Sequence, residues 1–523
     1  MFSYYISKLK KVVSSKIIFL GLFILLVLLG CSSSCDSPEA LSRPIRSVVD
    51  LNLGEKAKVE LSDGNTVSIK LLEIKHTRDQ FRNAVRSAWT RLMVNGEEVT
   101  LHSANYNLPV AVAGIRMDCP ITSTYYSNSD YDRWGLEKDA RLRLWPEEGP
   151  YITPGTFLYP VGQRILANDT QMSNEPCYVD GGEIPGDNDI YYHSGLDFGG
   201  SEGLVEVIAA TDGIVVSSGD SVLSGHREDT PVMPRYDVVY LLDKRGWYYR
   251  YSHMKSIEPW VVPGVKVDKG RRIGLLGKEG GSGGWSHLHF EIKARQPSGK
   301  WGTEEAYAYV WQAYVEYYEP DVIAVARPHH LVPVGEAVTL DGSKSRHCER
   351  EKLDYEWLFT DGGTAKGPVI ERMYDKAGTY YEALKVSDHM GNLDYDFAVV
   401  QVIDKSHPDR LPPSLHANYY PSLDIKAGEP VTFKVRSFNV REGEEVWDFG
   451  DNSPRESTRS VPCYSSDDYA PEKMSYRDIQ HHPQGYAEIE HTFAEPGHYL
   501  VRIERTGDWE LKAVARLHVE VNP

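Results

Sequence analysis

The sequence predicts a mainly β, multidomain protein, and three observations point there. Short runs alternate apolar and polar residues with the period of a half-buried strand, as in Lys58-Val59-Glu60-Leu61. Turn pairs that favour tight hairpins, Asp63-Gly64 and Asn95-Gly96, interrupt such runs. The C-terminal half repeats one pattern: an aromatic strand, an acidic turn, then Gly-x-Tyr at the head of a last strand. A chain of 523 residues has room for about three to four domains.

The N-terminus reads as an export signal. Lys8, Lys10, Lys11 and Lys16 form a basic region, and Ile17 to Leu29 is an apolar core too short to favour a spanning helix. It ends in Leu28-Leu29-Gly30-Cys31, which resembles a bacterial lipobox. That resemblance implies a lipoprotein signal peptide over 1–30 and a lipid on Cys31. The mature chain would then be exported to the cell envelope and lipid-anchored to a bacterial membrane. An uncleaved signal anchor is the alternative, and Cys35 is a second candidate junction. Residues 31–49 read as a tether, because Ser32 to Pro44 is rich in Ser and Pro.

Composition excludes some partners. The 75 acidic residues outnumber the 57 basic ones, for a net charge of -18. Nucleic acid is excluded as a partner, since a phosphate backbone demands a basic face. There is also no long-range attraction to an anionic polymer, so such a substrate must be held locally. Past Cys35 the cysteines are Cys119, Cys177, Cys348 and Cys463, without the close pairs of a zinc finger. Cys119 and Cys177 are either a disulfide of an oxidising compartment or two buried thiols.

Residues 50–150 read as an N-terminal β-domain of hairpins: Lys58 to Leu61 with Thr66 to Leu71, then Thr90 to Val94 with Glu98 to Leu101. His76 and His102 are isolated there and read as structural or surface residues. Residues 151–318 form the next unit. Its strand candidates are Val205 to Ala209, Ile214 to Ser217, Val238 to Leu242 and Leu288 to Ile292. Thr303 to Tyr318 reads as one helix, because Tyr307, Trp311, Tyr314 and Tyr318 recur at helical spacing. That aromatic stripe is a packing face more readily than a sugar-binding one.

The chemistry of this unit lies in its histidines. In Gly284-Trp285-Ser286-His287-Leu288-His289-Phe290-Glu291-Ile292 the alternation puts His287 and His289 on one face of a strand. Two such imidazoles can serve one metal ion, one as ligand and one as proton handler. Upstream, His193-Ser194-Gly195-Leu196-Asp197 adds a His and a carboxylate, and Tyr251-Ser252-His253-Met254 adds a further His. A His, a carboxylate and another His are a zinc set that leaves one position open for water, the catalytic arrangement.

These motifs resemble those of the lysostaphin/LytM-type zinc metalloendopeptidases. The resemblance covers about 150 to 300. It includes His193-x-Gly195-x-Asp197-Phe198, Val207-x-Ala209-Ala210-x-Asp212-Gly213-x-Val215, Tyr251-x-His253-Met254, Ile273-Gly274-x-x-Gly277 and Gly281 to Glu291. It implies an antiparallel β peptidase domain that hydrolyses the cross-bridges or stems of bacterial peptidoglycan. It further implies that His193, Asp197 and His289 ligate one zinc ion and that His253 and His287 are catalytic, with their separate roles left open. Glu291 falls on the face of His289, where a contact behind that ligand is expected. Two departures stand out. Gly219 to Arg235, with His226, reads as a loop insertion bordering the groove, and Trp285-Ser286 replaces the smaller pairs common in the family.

The C-terminal repeat resembles the PKD domain, an immunoglobulin-like β-sandwich. Tyr355-Glu356-Trp357 with Gly378-Thr379-Tyr380 marks one copy over 319–403. Val446-Trp447-Asp448 with Gly497-His498-Tyr499 marks a second over 414–523, with an insertion at about 455–485. Residues 404–413, with three prolines, read as a stiff linker. Such sandwiches are expected to contact protein or glycan. The expected function is therefore a zinc-dependent endopeptidase acting on peptidoglycan peptides. The alternatives are a non-catalytic envelope regulator, an adhesin on the same fold, or a peptidase with a protein substrate.

Overall fold

A computed structural model describes residues 44–129, 131–177, 190–348, 352–441, 443–463 and 481–523. The expected signal peptide, Cys31 and most of the expected tether lie outside these residues, as does much of the insertion expected near 455–485. Among the described residues nearly all regular structure is β, and no helix is long and apolar enough to cross a membrane.

The two predicted hairpins form. Lys56–Glu60 pairs with Thr66–Arg78, and Val85–Val94 pairs with Glu97–His102. They make a four-stranded sheet that shares one core with a second, ordered Ser47–Leu51, Ala140–Pro146, Ile115–Thr122, Val110–Val112. Cys119 lies in that core as a free thiol, and burial raises its pKa to about 12.

The central unit is built on a nine-stranded antiparallel sheet. Its main strands are β1 (Leu196–Gly199), β2 (Gly213–Ser218), β3 (Val239–Leu242), β4 (Tyr248–Ser252), β5 (His287–Arg295) and β6 (Trp301–Glu304). The order is β2-β3-β4-β5-β1, with β6 also on β5. Helix α1 (Tyr307–Tyr318) follows. It begins four residues later than the aromatic spacing predicts. Thr303 is held in β6 opposite Lys293, and its hydroxyl donates to Glu291 Oε1 at 2.8 Å. The aromatic stripe is indeed a packing face: Tyr307, Trp311 and Tyr314 lie in the core with Phe157, Tyr159 and Trp247.

Two sandwiches follow. The first sets His330–Pro333, Asp354–Leu358, Gly378–Ser387 and Leu393–Ile403 around a core with Trp357. The second packs a three-stranded sheet of β7 (Ser414–Tyr420), β8 (Pro430–Phe438) and Ala487–Thr492 against strands that include Glu445–Asp448, Gly497–Thr506 and Lys512–Val521. Gly378 and Thr379 pair in parallel with Lys512 and Ala513, so one sheet runs through both sandwiches.

A buried ion cluster ties the N-terminal sheets to β6. Arg143 reaches Asp118 at 2.5 Å and Glu304 at 3.0 Å, while Arg46 holds the other Glu304 oxygen at 2.8 Å. Burial opposes the Glu304 charge, but Arg46 and Arg143 prevail and lower its pKa from 4.5 to about 2. A carboxyl depressed on folding stabilises the protein above its unfolded pKa, and that contribution fades as pH falls through the folded value. The Glu304 contribution should thus be intact above pH 4.5 and lost towards pH 2. Arg143→Leu strands the buried Asp118 carboxylate, leaves Glu304 with Arg46 alone, and should destabilise the fold by about 3–5 kcal/mol, read from denaturant unfolding at neutral pH. The deficit should shrink as the carboxylates protonate in acid.

Candidate active site

Strand β5 lies between β1 and β4, and the cross-strand partners of His289 are Asp197 on one side and Ser252 on the other. Partners in register project to one face of a sheet. Asp197 and His289 therefore meet there, while Leu288, Phe290 and Ile292 enter the core behind.

Local backbone features bring the other histidines to this face. The His193 N–H donates to the Glu175 carbonyl at 2.8 Å, and its own carbonyl accepts from Asn174 at 2.9 Å. Gly195 then turns at φ 95°, and a Cβ there would sit 2.8 Å from the Phe290 carbonyl oxygen. Only glycine lets the chain pass so close to β5. His253 follows β4 at φ 65°, unusual for a residue with a side chain, and its N–H is held by Asp237 Oδ2 at 2.9 Å. Gly277 abuts this turn, since a Cβ would lie 2.4 Å from the Lys255 nitrogen. Its carbonyl accepts the His287 N–H at 2.9 Å, which fixes the head of β5.

The structure thus brings all five predicted site residues together, each buried. His193 Nε2 is 3.0 Å from His289 Nδ1 and 3.1 Å from Asp197 Oδ1, and His289 Nδ1 is 2.8 Å from that same oxygen. Two imidazole nitrogens and a carboxylate oxygen converging so closely are the donor chemistry of a divalent transition metal. His287 Nε2 lies 3.5 Å from Asp197 Oδ2, and the His253 and His287 rings are 4.6 Å apart.

Electrostatics separate the residues into two groups. Burial opposes the charge of Asp197, yet His193, His287 and His289 hold its pKa well below the usual range. Burial likewise disfavours protonated His193, but Asp197 overrides it and raises the pKa. For His287 burial dominates and lowers the pKa to about 4. For His253 burial, reinforced by His287 and Arg235, lowers it well below 6.5. Both are therefore neutral near pH 7.

Their tautomers follow from their neighbours. His287 Nδ1 faces the Trp285 carbonyl at 3.1 Å and His253 Nδ1 faces the Glu279 carbonyl at 2.6 Å. A carbonyl only accepts, so each Nδ1 carries the proton and each Nε2 keeps a lone pair. Arg235 Nη2 also lies 3.3 Å from His253 Nδ1. Both groups then point hydrogens at each other, so Arg235 acts there as a neighbouring charge and not as a hydrogen-bond partner.

Glu291 sits behind His289. It pairs with Lys293 at 2.6 Å and lies 4.0 Å from His289 Nε2, within ion-pair reach but too far for a hydrogen bond. Burial opposes its charge, but Lys293, His289 and Arg250 keep its pKa well below 4.5. A carboxylate on the Nε2 side favours the tautomer that leaves Nδ1 free to ligate.

Sequence reasoning missed Arg235 and Asp237. Arg235 closes the inserted loop and pairs with Asp237, which holds His253. Adjacency to the insertion was the only signal for them. His226, in the same loop, contacts the Tyr248 hydroxyl at 3.1 Å and is not among the five.

The fold and the site define a peptidase-type β-domain, and comparison with known proteins agrees. Residues 191–300, which contain all five residues, match peptidase family M23, and residues 319–402 match the PKD domain. The chain therefore carries an M23 peptidase domain, of a family of metallopeptidases, and a PKD domain after it. Among solved structures it is similar to a variant of the catalytic domain of the prophage-encoded M23 protein EnpA from Enterococcus faecalis. That likeness has 19% identity, covers 29% of this chain and 92% of that one, and has a TM-score of 0.18. Helicobacter pylori Csd3 is another, at 11% identity over 52% of this chain and 81% of that one, with a TM-score of 0.21. A curated relative, collagenase ColA of Clostridium perfringens, is 30% identical over 81 residues, which is 16% of this chain and 7% of that protein.

Glu291→Gln removes the charge behind His289 and should weaken divalent-metal affinity by about 10–100-fold. Competition against a chromophoric chelator measures it. An unchanged affinity would mean that Lys293 already neutralises Glu291 as far as His289 is concerned.

Proposed function

We propose that this chain is a zinc-dependent endopeptidase that cleaves peptide bonds in bacterial peptidoglycan. The observation that carries the reading is the convergence of His193 Nε2, Asp197 Oδ1 and His289 Nδ1 beside two neutral histidines. His193, Asp197 and His289 would hold the zinc. When bound, zinc supplies Lewis acidity and brings the pKa of water towards neutrality.

The chain's own groups do the rest. Nε2 of His253 and Nε2 of His287 keep their lone pairs beside the cluster's rings, so either can take a proton from water and return it to the leaving amine. A protonated imidazole formed in that exchange can also donate to a developing oxyanion. The carbonyls of Glu279 and Trp285 hold both rings by Nδ1, which keeps the tautomers from interchanging. Asp197 stays ionised and offsets positive charge gathered beside it.

The sequence signals favour an exported enzyme, anchored to a bacterial membrane through a lipid on Cys31. A tether at that end would leave the peptidase domain within reach of the wall. The PKD-like sandwiches would add contacts to protein or glycan.

Purified sacculi incubated with zinc-loaded protein beginning at Asp36 should release soluble peptide-linked fragments, identified by mass spectrometry. His289→Ala should release none, and the fragment masses would name the bond. Release of nothing by the unaltered, metal-loaded protein would overturn the reading in favour of a regulator or a protein substrate.

A further inference from the structure

The residues just before His287 are gripped by the second sandwich. In β7 and β8, His416 lies opposite Arg436 and Asn418 lies opposite Lys434, so all four share one face. The alternating residues Leu415, Ala417, Tyr419, Phe433 and Val435 fill the sandwich core. The polar face would ordinarily meet water. Here His416 is only 8% exposed, Asn418 3% and Arg436 0%.

What covers that face is the loop leading into β5. Arg436 Nη1 donates to the Gly284 carbonyl at 2.6 Å, and the Ser286 N–H donates to the Tyr486 hydroxyl at 2.8 Å. Asn418 donates to Ser286 Oγ at 3.3 Å and accepts from Ser201 Oγ at 2.7 Å. Trp285 is the centre of this grip. Its ring stacks on His287 with centroids 3.9 Å apart and planes 19° apart, and on His416 at 5.2 Å and 30°. Asp169 Oδ2 lies beside His416, 3.3 Å from its Nδ1. The carbonyl of Asp169 accepts the N–H of Gly199, two residues beyond Asp197.

We propose that the second sandwich is part of the catalytic apparatus, with His416 and Trp285 as positioning residues that set the plane of the His287 imidazole. The proposal rests on the peptidase reading for its consequence, though not for its geometry. The hydrogen bond from Nδ1 to the Trp285 carbonyl, at 3.1 Å, restrains the His287 ring but tolerates small rotations about χ2. The stack with Trp285 restricts that rotation, and His416 keeps Trp285 from swinging away. Trp285-Ser286, the departure from the family's smaller pairs, is then explained: the indole supplies a stacking surface and the hydroxyl ties the loop to Gly200 at 2.7 Å.

The test uses the metal-loaded protein from Asp36 onward, unaltered and as His416→Ala, His416→Phe and Tyr486→Phe. His416→Phe keeps an aromatic face, and Tyr486→Phe deletes only the hydroxyl, which guards against a variant that fails to fold. Release of dye-labelled fragments from sacculi gives the rate and its dependence on substrate. In parallel, histidine labelled with 13C at Cε1 reports the His287 ring, assigned through its loss in His287→Ala. A stacked indole shifts that resonance by its ring current.

His416→Ala should lower the maximal rate by about 10–100-fold with little change in half-saturation, and should move the His287 resonance. His416→Phe should restore both, and Tyr486→Phe should fall between. An unmoved resonance and an unchanged rate in His416→Ala would overturn the proposal. A higher rate would overturn it as well, because the sandwich would then be a cover over the site. If the unaltered protein cleaves nothing, the peptidase reading falls, and the resonance alone decides whether His416 sets the ring.

Discussion

The register of β5 between its two neighbours is the constraint on which the site depends. Asp197 faces His289 on one side and Ser252 faces it on the other. A slip of one residue would send His287, His289 and Glu291 to the opposite face. That slip is opposed by Leu288, Phe290 and Ile292, which are fully buried in the core and would have to exchange places with charged and polar groups. Each such side chain is worth about 1.5–3 kcal/mol on burial. The apolar half of the strand thus holds the polar half in place, and the geometry of the cluster follows from packing behind it.

Burying so many ionisable groups needs compensation, since an isolated buried charge is far too costly to persist. The site supplies it in layers. Asp197 is surrounded by three histidines, Glu291 by Lys293 and Arg250, and Asp237 by Arg235. Asp197 and Glu291 stay ionised through these neighbours. His253 and His287, which lack a close carboxylate hydrogen bond at Nδ1, stay neutral. One environment therefore sets apart groups suited to hold a cation and groups suited to move a proton.

Much of this was legible in the sequence because it is local. The hairpins at Asp63-Gly64 and Asn95-Gly96 need only a turn pair and alternation, and both formed. His-x-His on a strand needs only period two. The errors and omissions share a different cause. Thr303 to Ala306 carries a helix-like spacing into α1, but pairing with β5 and the distant partners Arg46 and Arg143 pull Thr303 and Glu304 into a strand. Asp237 and Arg235 carry no periodic mark at all. His416-Ala417-Asn418-Tyr419 reads as a strand with one face to water, and nothing local reveals that another domain covers it.

That covered face bears on what the C-terminal sandwiches are for. A spacer needs a covalent link and a soluble surface, and its strand faces can point anywhere. In this chain the polar face of β7 and β8 has exchanged water for the loop carrying Gly284, Trp285 and Ser286, more than 130 residues earlier in sequence. Polar groups give up hydration when buried, so such a face persists only if its hydrogen bonds are replaced closely. Arg436, Asn418 and Tyr486 each find that replacement on the residues that lead into His287. A sandwich docked for bulk alone would gain as much from any apolar patch of the peptidase domain. The polar grip instead specifies one orientation, and it falls on the loop that carries the indole stacked on His287.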